Sequence, residues 1–256
     1  MKKVLSIFFI FILFLIFINW YNSRPEVIIS RVVKNKDIRA GQLRYKIYLM
    51  KVIPVGEASL GVAKVEDYKG AKVYHLTGSA HSSSLFTNFF QARAYLDSYV
   101  DIQELSPMLF RQKLVIKGKR QFYREVFYDQ ANGTMSLEGV RRQIYPNTQD
   151  PLSAMFNVRL IDFKKTDKIE IGLNTNQKNY ILKGTVRNQS VTVGKDIYKT
   201  AFLDAHISRR DKNPYHKSNI SMVLLEEVAN VPILINVFAG GVLINARLID
   251  INDRNN

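Results

Sequence analysis

The chain has 256 residues, of which 46% are hydrophobic and 23% charged, with no cysteine and a net charge of +15. This composition excludes a disordered chain and a disulfide scaffold, and a single long apolar run excludes a polytopic membrane protein. Residues 1–23 contain two lysines and no acid, so the remainder has 35 basic against 22 acidic residues, a charge of +13.

The first predicted element is an apolar run from Val4 to Ile18, followed by Asn-Trp-Tyr at 19–21 as in an interfacial belt. As a helix, residues 4–21 would reach roughly 27 Å, close to the ~30 Å hydrocarbon core. Bulky residues stand where a cleavage site needs small ones, so residues 1–23 predict a membrane anchor, with a cleaved signal peptide as the alternative. The short basic N-terminal flank is typical of export, which predicts an inner-membrane anchor and a body facing the periplasm.

Residues 24–41 are predicted to be a linker, and residues 42–252 form the predicted β-rich domain. Leu43 to Leu49 alternates apolar and polar residues, as a half-buried strand does. We expect a turn at Pro54-Val55-Gly56, after which Glu57 to Glu66 runs back as the second strand of a hairpin.

The same alternation continues along the chain, and the last two runs are apolar on both faces, as in central strands. Asn132-Gly133 predicts a tight hairpin turn. The further predicted strands are Ala71–Ala80, Met108–Lys117, Gln121–Tyr128, Thr134–Tyr145, Tyr180–Val186, Thr200–Ile207, Asn219–Leu225, Val231–Phe238 and Gly241–Ile249.

One segment has helical spacing instead. Asp150 suits a helix N-cap and Pro151 the first helical position, which predicts a helix over 151–161. Its apolar set is Leu152, Met155, Phe156 and Leu160. Ten to twelve strands with one helix predict a mainly β fold: a curved antiparallel sheet, or an open or closed β-barrel, partly covered by the helix.

Four motifs in this chain resemble those of the bacterial family called domain of unknown function 3108. The resemblance spans roughly residues 42–250 and implies a β-rich, secreted or periplasmic envelope protein, with no particular activity. The first motif is Tyr45, Ile47 and Ile53-Pro54-Val55-Gly56-Glu57-Ala58, and the second is Ser98-Tyr99-Val100-Asp101 with Pro107 and Phe110. The third is Tyr123 with Phe127-Tyr128-Asp129, and the fourth is Gln149-Asp150-Pro151-Leu152-Ser153-Ala154-Met155-Phe156 with Val158-Arg159.

Catalytic and metal-binding patterns are weak in this sequence. His75, His81, His206 and His216 match no zinc motif, and there is no Gly-x-Ser-x-Gly elbow, so we predict no metal, cofactor or serine nucleophile. Glycoside hydrolysis needs two carboxylates, for which the group Asp97, Asp101 and Glu104 near Tyr95 and Tyr99 is the candidate. We expect Asp101 instead to accept hydrogen bonds from turn amides.

Basic residues are the candidates for contact with an anionic lipid or glycan, because export removes nucleic acid as a partner. They are Lys113, Lys117, Arg120, Arg124, Arg141 and Arg142.

Apolar residues at alternate strand positions form either plain core or the lining of a ligand pocket, depending on how the sheet curves. They are Phe110, Leu114, Ile116, Ile233, Ile235 and Val237. The sequence favours a non-catalytic binding module for a lipid, glycan or protein partner of the envelope. An enzyme acting on envelope polysaccharide and a scaffold of an envelope complex are the alternatives.

Overall fold

The computed structural model describes residues 41–83, 91–175, 177–193, 195–210 and 218–253. The predicted anchor over 1–23 and all but the last residue of the predicted linker lie outside these ranges. Within them, no helix has both the length and the apolar character that crossing a membrane requires.

The described residues form one antiparallel sheet of fourteen strands and the α-helix α1 (Pro151–Leu160). The strands are β1 (Gly41–Leu49), β2 (Ile53–Tyr68), β3 (Ala71–Ser82), β4 (Ala92–Asp101), β5 (Pro107–Ile116), β6 (Phe122–Asp129), β7 (Thr134–Leu137), β8 (Val140–Gln143), β9 (Lys168–Thr175), β10 (Lys178–Val193), β11 (Asp196–Arg209), β12 (Ser218–Leu225), β13 (Val231–Ala239) and β14 (Val242–Asp253).

The sheet consists of two meanders that meet where the first and last strands pair. β1 lies between β2 and β14, with Gly41 opposite Asp253 and Leu49 opposite Ile244. From this centre β2 to β8 extend to one edge of the sheet and β14 back to β9 extend to the other. The mainly β fold predicted from the alternation is therefore confirmed. The sheet is open, since its two edge strands, β8 and β9, do not pair with each other.

One turn prediction is wrong. Pro54 and Gly56 lie within β2, and the chain reverses at residues 50–52, where Met50 and Lys51 have φ values of 50° and 67°. Gly56 is needed for close approach between strands, because a Cβ there would lie 2.2 Å from the carbonyl oxygen of His81. The hairpin turn predicted at Asn132-Gly133 is confirmed between β6 and β7, as a turn of four residues over 130–133 in which Gly133 has a φ of 60°.

The strand predicted over Thr134–Tyr145 is also wrong as a single element. It divides into β7 and β8 at Glu138 and Gly139, which have φ values of 51° and 79° and turn the chain back on itself. β4 and β9 have no predicted counterpart. β13 is buried at every position from Val231 to Ile235, which fits its predicted central place in the sheet.

The predicted helix is confirmed and ends one residue earlier than expected. Asp150 is its N-cap: one carboxylate oxygen accepts from the amides of Leu152 at 2.8 Å and Ser153 at 3.0 Å. The Ser153 hydroxyl in turn contacts the Asp150 amide at 2.9 Å, which completes a capping box. Pro151 at the first helical position loses no hydrogen bond there.

α1 packs inside the curve of the sheet, between two hydrophobic clusters. Leu152 and Phe156 belong to the cluster of the β2–β7 side, whereas Val158 belongs to that of the β9–β14 side. Gly78 in β3 allows the close approach, since a Cβ there would be 3.1 Å from the Leu152 side chain.

The two edge strands are linked through the segment that precedes α1. The Gln149 amide donates to the Gly172 carbonyl at 2.8 Å, and its own carbonyl accepts from the Asn174 amide at 2.8 Å. Gln149 therefore pairs in parallel with β9 and covers an edge whose backbone groups would otherwise lack partners. The same residue leads directly into the Asp150 cap, so sheet edge and helix start are fixed together.

Candidate functional site

A cavity of about 430 Å³ lies between α1 and the strands β9 to β12. Its lining is apolar except for Asn174, Thr175, Ser218 and the Tyr180 hydroxyl. The lining residues are Pro151, Ala154, Met155, Val158, Ile171, Leu173, Asn174, Thr175, Tyr180, Leu182, Ile207, Ser218, Ile220 and Met222.

The strand period explains how these residues meet. Ile171 and Leu173 are two residues apart on β9, as are Ile220 and Met222 on β12, so each pair faces the same side of the sheet. The helix contributes the short side chain of Ala154 where it crosses these strands, and this leaves the space open.

The polar side of the cavity is held by an amide chain. Asn174 is buried, and its Nδ2 donates to Oδ1 of Asn179 at 2.9 Å. Asn179 in turn donates from Nδ2 to the Gln143 carbonyl at 3.0 Å, which connects the β9–β10 hairpin to β8 at the opposite edge. These bonds fix the position of β9 relative to the rest of the sheet.

The volume and chemistry of this cavity are those of a site for an apolar ligand. Ligand pockets are typically about 300–1,000 Å³, lined mainly by apolar side chains with a few polar groups. A larger depression of about 640 Å³ beside Glu170, Lys183, Asp204 and His206 has a charged and polar lining instead, and Lys183 pairs with Glu170 there at 2.9 Å. That lining exposes about as much polar as apolar surface, whereas the lining of the 430 Å³ cavity is mostly apolar.

The apolar residues predicted as a ligand lining do not come together in the structure. Phe110 is buried in the cluster of the β2–β7 side, and Ile233, Ile235 and Val237 belong to or pack on the other cluster. Leu114 borders a separate depression between β2, β3, β4 and β5, and Ile116 ends β5 opposite Ala92. None of the six lines the 430 Å³ cavity.

The predicted anionic-contact residues are also dispersed. Lys113 lies opposite Tyr123, and Arg124 lies opposite Gln112. Because Gln112 and Lys113 are neighbours on β5 and point to opposite faces, Lys113 and Arg124 also point to different faces of the sheet. Lys117 and Arg120 lie in the turn between β5 and β6. Arg141 and Arg142 are exposed on the edge strand β8, where Arg142 donates from Nε to Oε1 of Gln177 at 2.6 Å.

Asp97 and Asp101, two of the predicted acidic residues, have different partners. Asp101 accepts the amides of Gln103 and Glu104 at 2.8 and 2.9 Å, as expected for a turn carboxylate. Asp97 instead contacts Nε2 of His75 at 2.9 Å.

His75 is the centre of a charged network on the outer face of β2 to β4. Its Nδ1 lies 3.0 Å from Oε1 of Glu66, without the alignment of a hydrogen bond, while Nε2 faces Asp97. A hydrogen bond from Lys64 at 2.8 Å holds the pKa of Glu66 below its usual value. The described residues contain no group of three or more His, Asp or Glu side chains arranged to hold a metal ion.

Asp150 combines the raised pKa and burial that often mark functional carboxylates. It is fully buried, burial raises its pKa to about 6, and Ser98 donates to its Oδ2 at 2.5 Å. The hydrogen bonds that oppose this shift all come from Ser98 and from the first turn of α1. The Asp150 carboxylate therefore serves as the N-cap of α1.

The chain matches one protein family by sequence and resembles a solved structure in its fold. The model of the family "Protein of unknown function (DUF3108)" matches residues 44–240, more than half of the chain, and the chain belongs to this family. A crystal structure of a β-barrel-like protein of DUF1849 from Brucella abortus is similar, with a TM-score of 0.54 and 10% identity over 84% of this chain and 98% of that one. At that identity the similarity concerns the fold alone. No curated protein matches the chain.

Sequence reasoning missed the cavity because its residues come from five elements, one of which, β9, was not predicted at all. The signal that could have found it is the short Ala154 on an otherwise bulky helix. A small residue there removes volume on one side of α1 while Leu152 and Phe156 fill the other.

Proposed function

We propose that this protein is a non-catalytic binding module of the cell envelope that holds a single alkyl chain in the cavity between α1 and β9 to β12. The observation that carries the proposal is a concave, mainly apolar space of about 430 Å³ between α1 and four strands. The apolar side chains that line this space lose their contact with water when an alkyl chain fills it, which favours binding of an apolar ligand.

The polar groups of the cavity support binding of a chain over binding of a sugar. A glycan site needs many paired donors and acceptors, whereas here Asn174 already donates to Asn179. Apart from Thr175, Ser218 and the Tyr180 hydroxyl, the rest of the wall consists of apolar side chains. These include Met155 and Met222, which adapt readily to a flexible alkyl chain.

The proposed place of action follows from the N-terminal sequence. An apolar run over 4–18 behind two lysines would tether the body to the inner membrane on its periplasmic side, next to a source of lipid. Fusions of the full chain test this: alkaline phosphatase should be active and green fluorescent protein dark. The reverse pattern would contradict envelope localisation.

Binding is tested with 1-dodecanol, an uncharged twelve-carbon probe, titrated calorimetrically into the full-length chain kept in solution by an amphipol. We expect saturable binding to the wild type and at least about tenfold weaker binding to Ile171→Trp, because the indole would project into the cavity and obstruct the path of the alkyl chain. The control is Ile197→Trp, the same change at a side chain that is 70% exposed. No saturable binding, or equal loss in both variants, would contradict the proposal.

A further inference from the structure

Arg159 is a buried cation on α1 that no carboxylate of the described residues neutralises. The residue is 6% exposed, and its Nε is buried without a hydrogen-bond partner. Burial lowers the pKa of this guanidinium, an effect opposed by Tyr45 alone. A guanidinium remains protonated in proteins, so its charge stays in the interior.

The groups near Arg159 compensate only part of its buried charge. Arg159 lies in the last turn of the helix, where the dipole favours a cation, but the carbonyls of Arg159 and Ile161 accept from Nδ2 of Asn230 at 3.0 and 2.7 Å. The Tyr45 hydroxyl donates to the Pro232 carbonyl at 2.9 Å. Neither group carries the negative charge that a buried guanidinium requires for compensation.

Arg159 also lies beside the proposed ligand site. It lines a void of about 20 Å³ together with Leu152, Met155 and Phe156. Met155 lines this void on one side and the 430 Å³ cavity on the other. A rotation of its unbranched side chain would join the two spaces, and methionine rotates readily.

We infer that Arg159 receives the anionic head of the ligand, and that the ligand is a long-chain carboxylate whose alkyl chain passes Met155 into the cavity. This inference rests on the proposed function. A carboxylate fits the geometry because a guanidinium presents two parallel N–H groups to its two oxygens. A void of about 20 Å³ holds about one water molecule, so the head group also needs the space that the Met155 side chain leaves when it rotates. A terminal carboxylate needs less of this space than a phosphodiester with its glycerol, because it adds only two oxygens to the chain.

The test compares two probes that differ in the head group alone, dodecanoate and 1-dodecanol, on the full-length chain in amphipol. Wild-type protein should bind dodecanoate at least about tenfold more tightly, since a charged hydrogen bond in a dry site is worth more than a neutral one. Arg159→Gln should remove this preference by weakening dodecanoate binding to about the level of dodecanol binding. Lys183→Gln, a control at a cation on the charged outer side of β10, should retain the preference.

Each outcome separates the inference from the proposed function. Equal binding of the two probes by the wild type would overturn the inference and leave the alkyl-chain site intact, and the void would then hold a water molecule. A preference that survives Arg159→Gln would also overturn it. Acetate binding as tightly as dodecanoate would indicate a free-anion site and contradict a long-chain ligand. Binding of neither long-chain probe would overturn the proposed function itself. If Arg159→Gln fails to fold, the wild-type comparison of head groups decides alone.

Discussion

The same helix meets the two halves of the sheet in different ways. Toward β2–β7, Leu152 and Phe156 are buried and leave a void of only about 20 Å³. Toward β9–β12, Ala154, Met155 and Val158 leave about 430 Å³. The sheet packs closely against α1 on one side, so its curvature alone does not create the cavity. The open space depends on the side chains that the helix presents to each half.

The packed half should carry most of the stability that α1 contributes. Phe156→Ala should lower the free energy of unfolding by about 3–5 kcal/mol, because a large buried ring is lost and the surrounding strands cannot collapse into its place. Urea denaturation measures this change. A loss below about 1 kcal/mol would mean that the β2–β7 side is not tightly packed against the helix.

The start of the helix, which both halves share, should respond to pH. Burial raises the pKa of Asp150 from its usual 3.8 to about 6, so the native state keeps this proton to a higher pH than the unfolded chain does. The stabilising contribution of Asp150 is therefore greatest below pH 3.8 and is lost as pH rises through about 6.

Asp150→Asn isolates this effect, since an amide oxygen still accepts from the Leu152 and Ser153 amides. Relative to the variant, the wild type should lose up to about 3 kcal/mol of stability between pH 4 and pH 7. Unfolding free energies at the two pH values check this. A difference that does not change with pH would contradict the assignment of Asp150 as a desolvated carboxylate.

The open half should tolerate truncation that the packed half does not. Met155→Ala should cost only about 1 kcal/mol, because the side chain already borders empty space on two sides. Dodecanol binding should persist, since the variant enlarges the cavity. A cost as large as that of Phe156→Ala would show that both faces of the helix are equally packed.

The link between the two sheet edges should matter least for stability. Arg142→Ala removes an exposed hydrogen bond to Gln177, and we expect a change below about 0.5 kcal/mol. Thermal unfolding of the variant checks this. A large loss would indicate that this exposed contact, rather than Gln149, joins β8 to β9.

The sequence was informative about local structure. Alternation located most strands, and the Asp150-Pro151 step located α1, because caps and side-chain period depend on neighbouring residues. β4 and β9 were missed since their apolar positions are mixed with Arg93, Ser98, Glu170 and Gly172, which blurs the period. The split of β7 from β8 was missed because the turn between them has only two residues, Glu138 and Gly139. The residues on its two sides were therefore interpreted as one continuous strand.

The candidate site could not be predicted in the same way. Ile171 and Met222 are distant in sequence and meet only because β9 and β12 share one face beneath α1. The predicted set from Phe110 to Val237 consists of strand residues with the right period, but period alone does not say which of them the helix covers. Arg159 belongs to a motif of the family resemblance, but its position did not indicate a buried charge without a partner, since a basic residue in a last helical turn is ordinary.

Methionine methyl groups offer the most direct test of the contrast between the two halves, because the chain has six methionines and they sample both. Met155 and Met222 line the cavity, whereas Met135 is 1% exposed in the packed cluster of the β2–β7 side. With the full-length chain labelled at the methionine methyl carbons, titration with 1-dodecanol should shift the Met155 and Met222 signals saturably and leave Met135 unchanged. Unmoved Met155 and Met222 signals, or shifts confined to the exposed Met50, would contradict an alkyl-chain site between α1 and β9–β12.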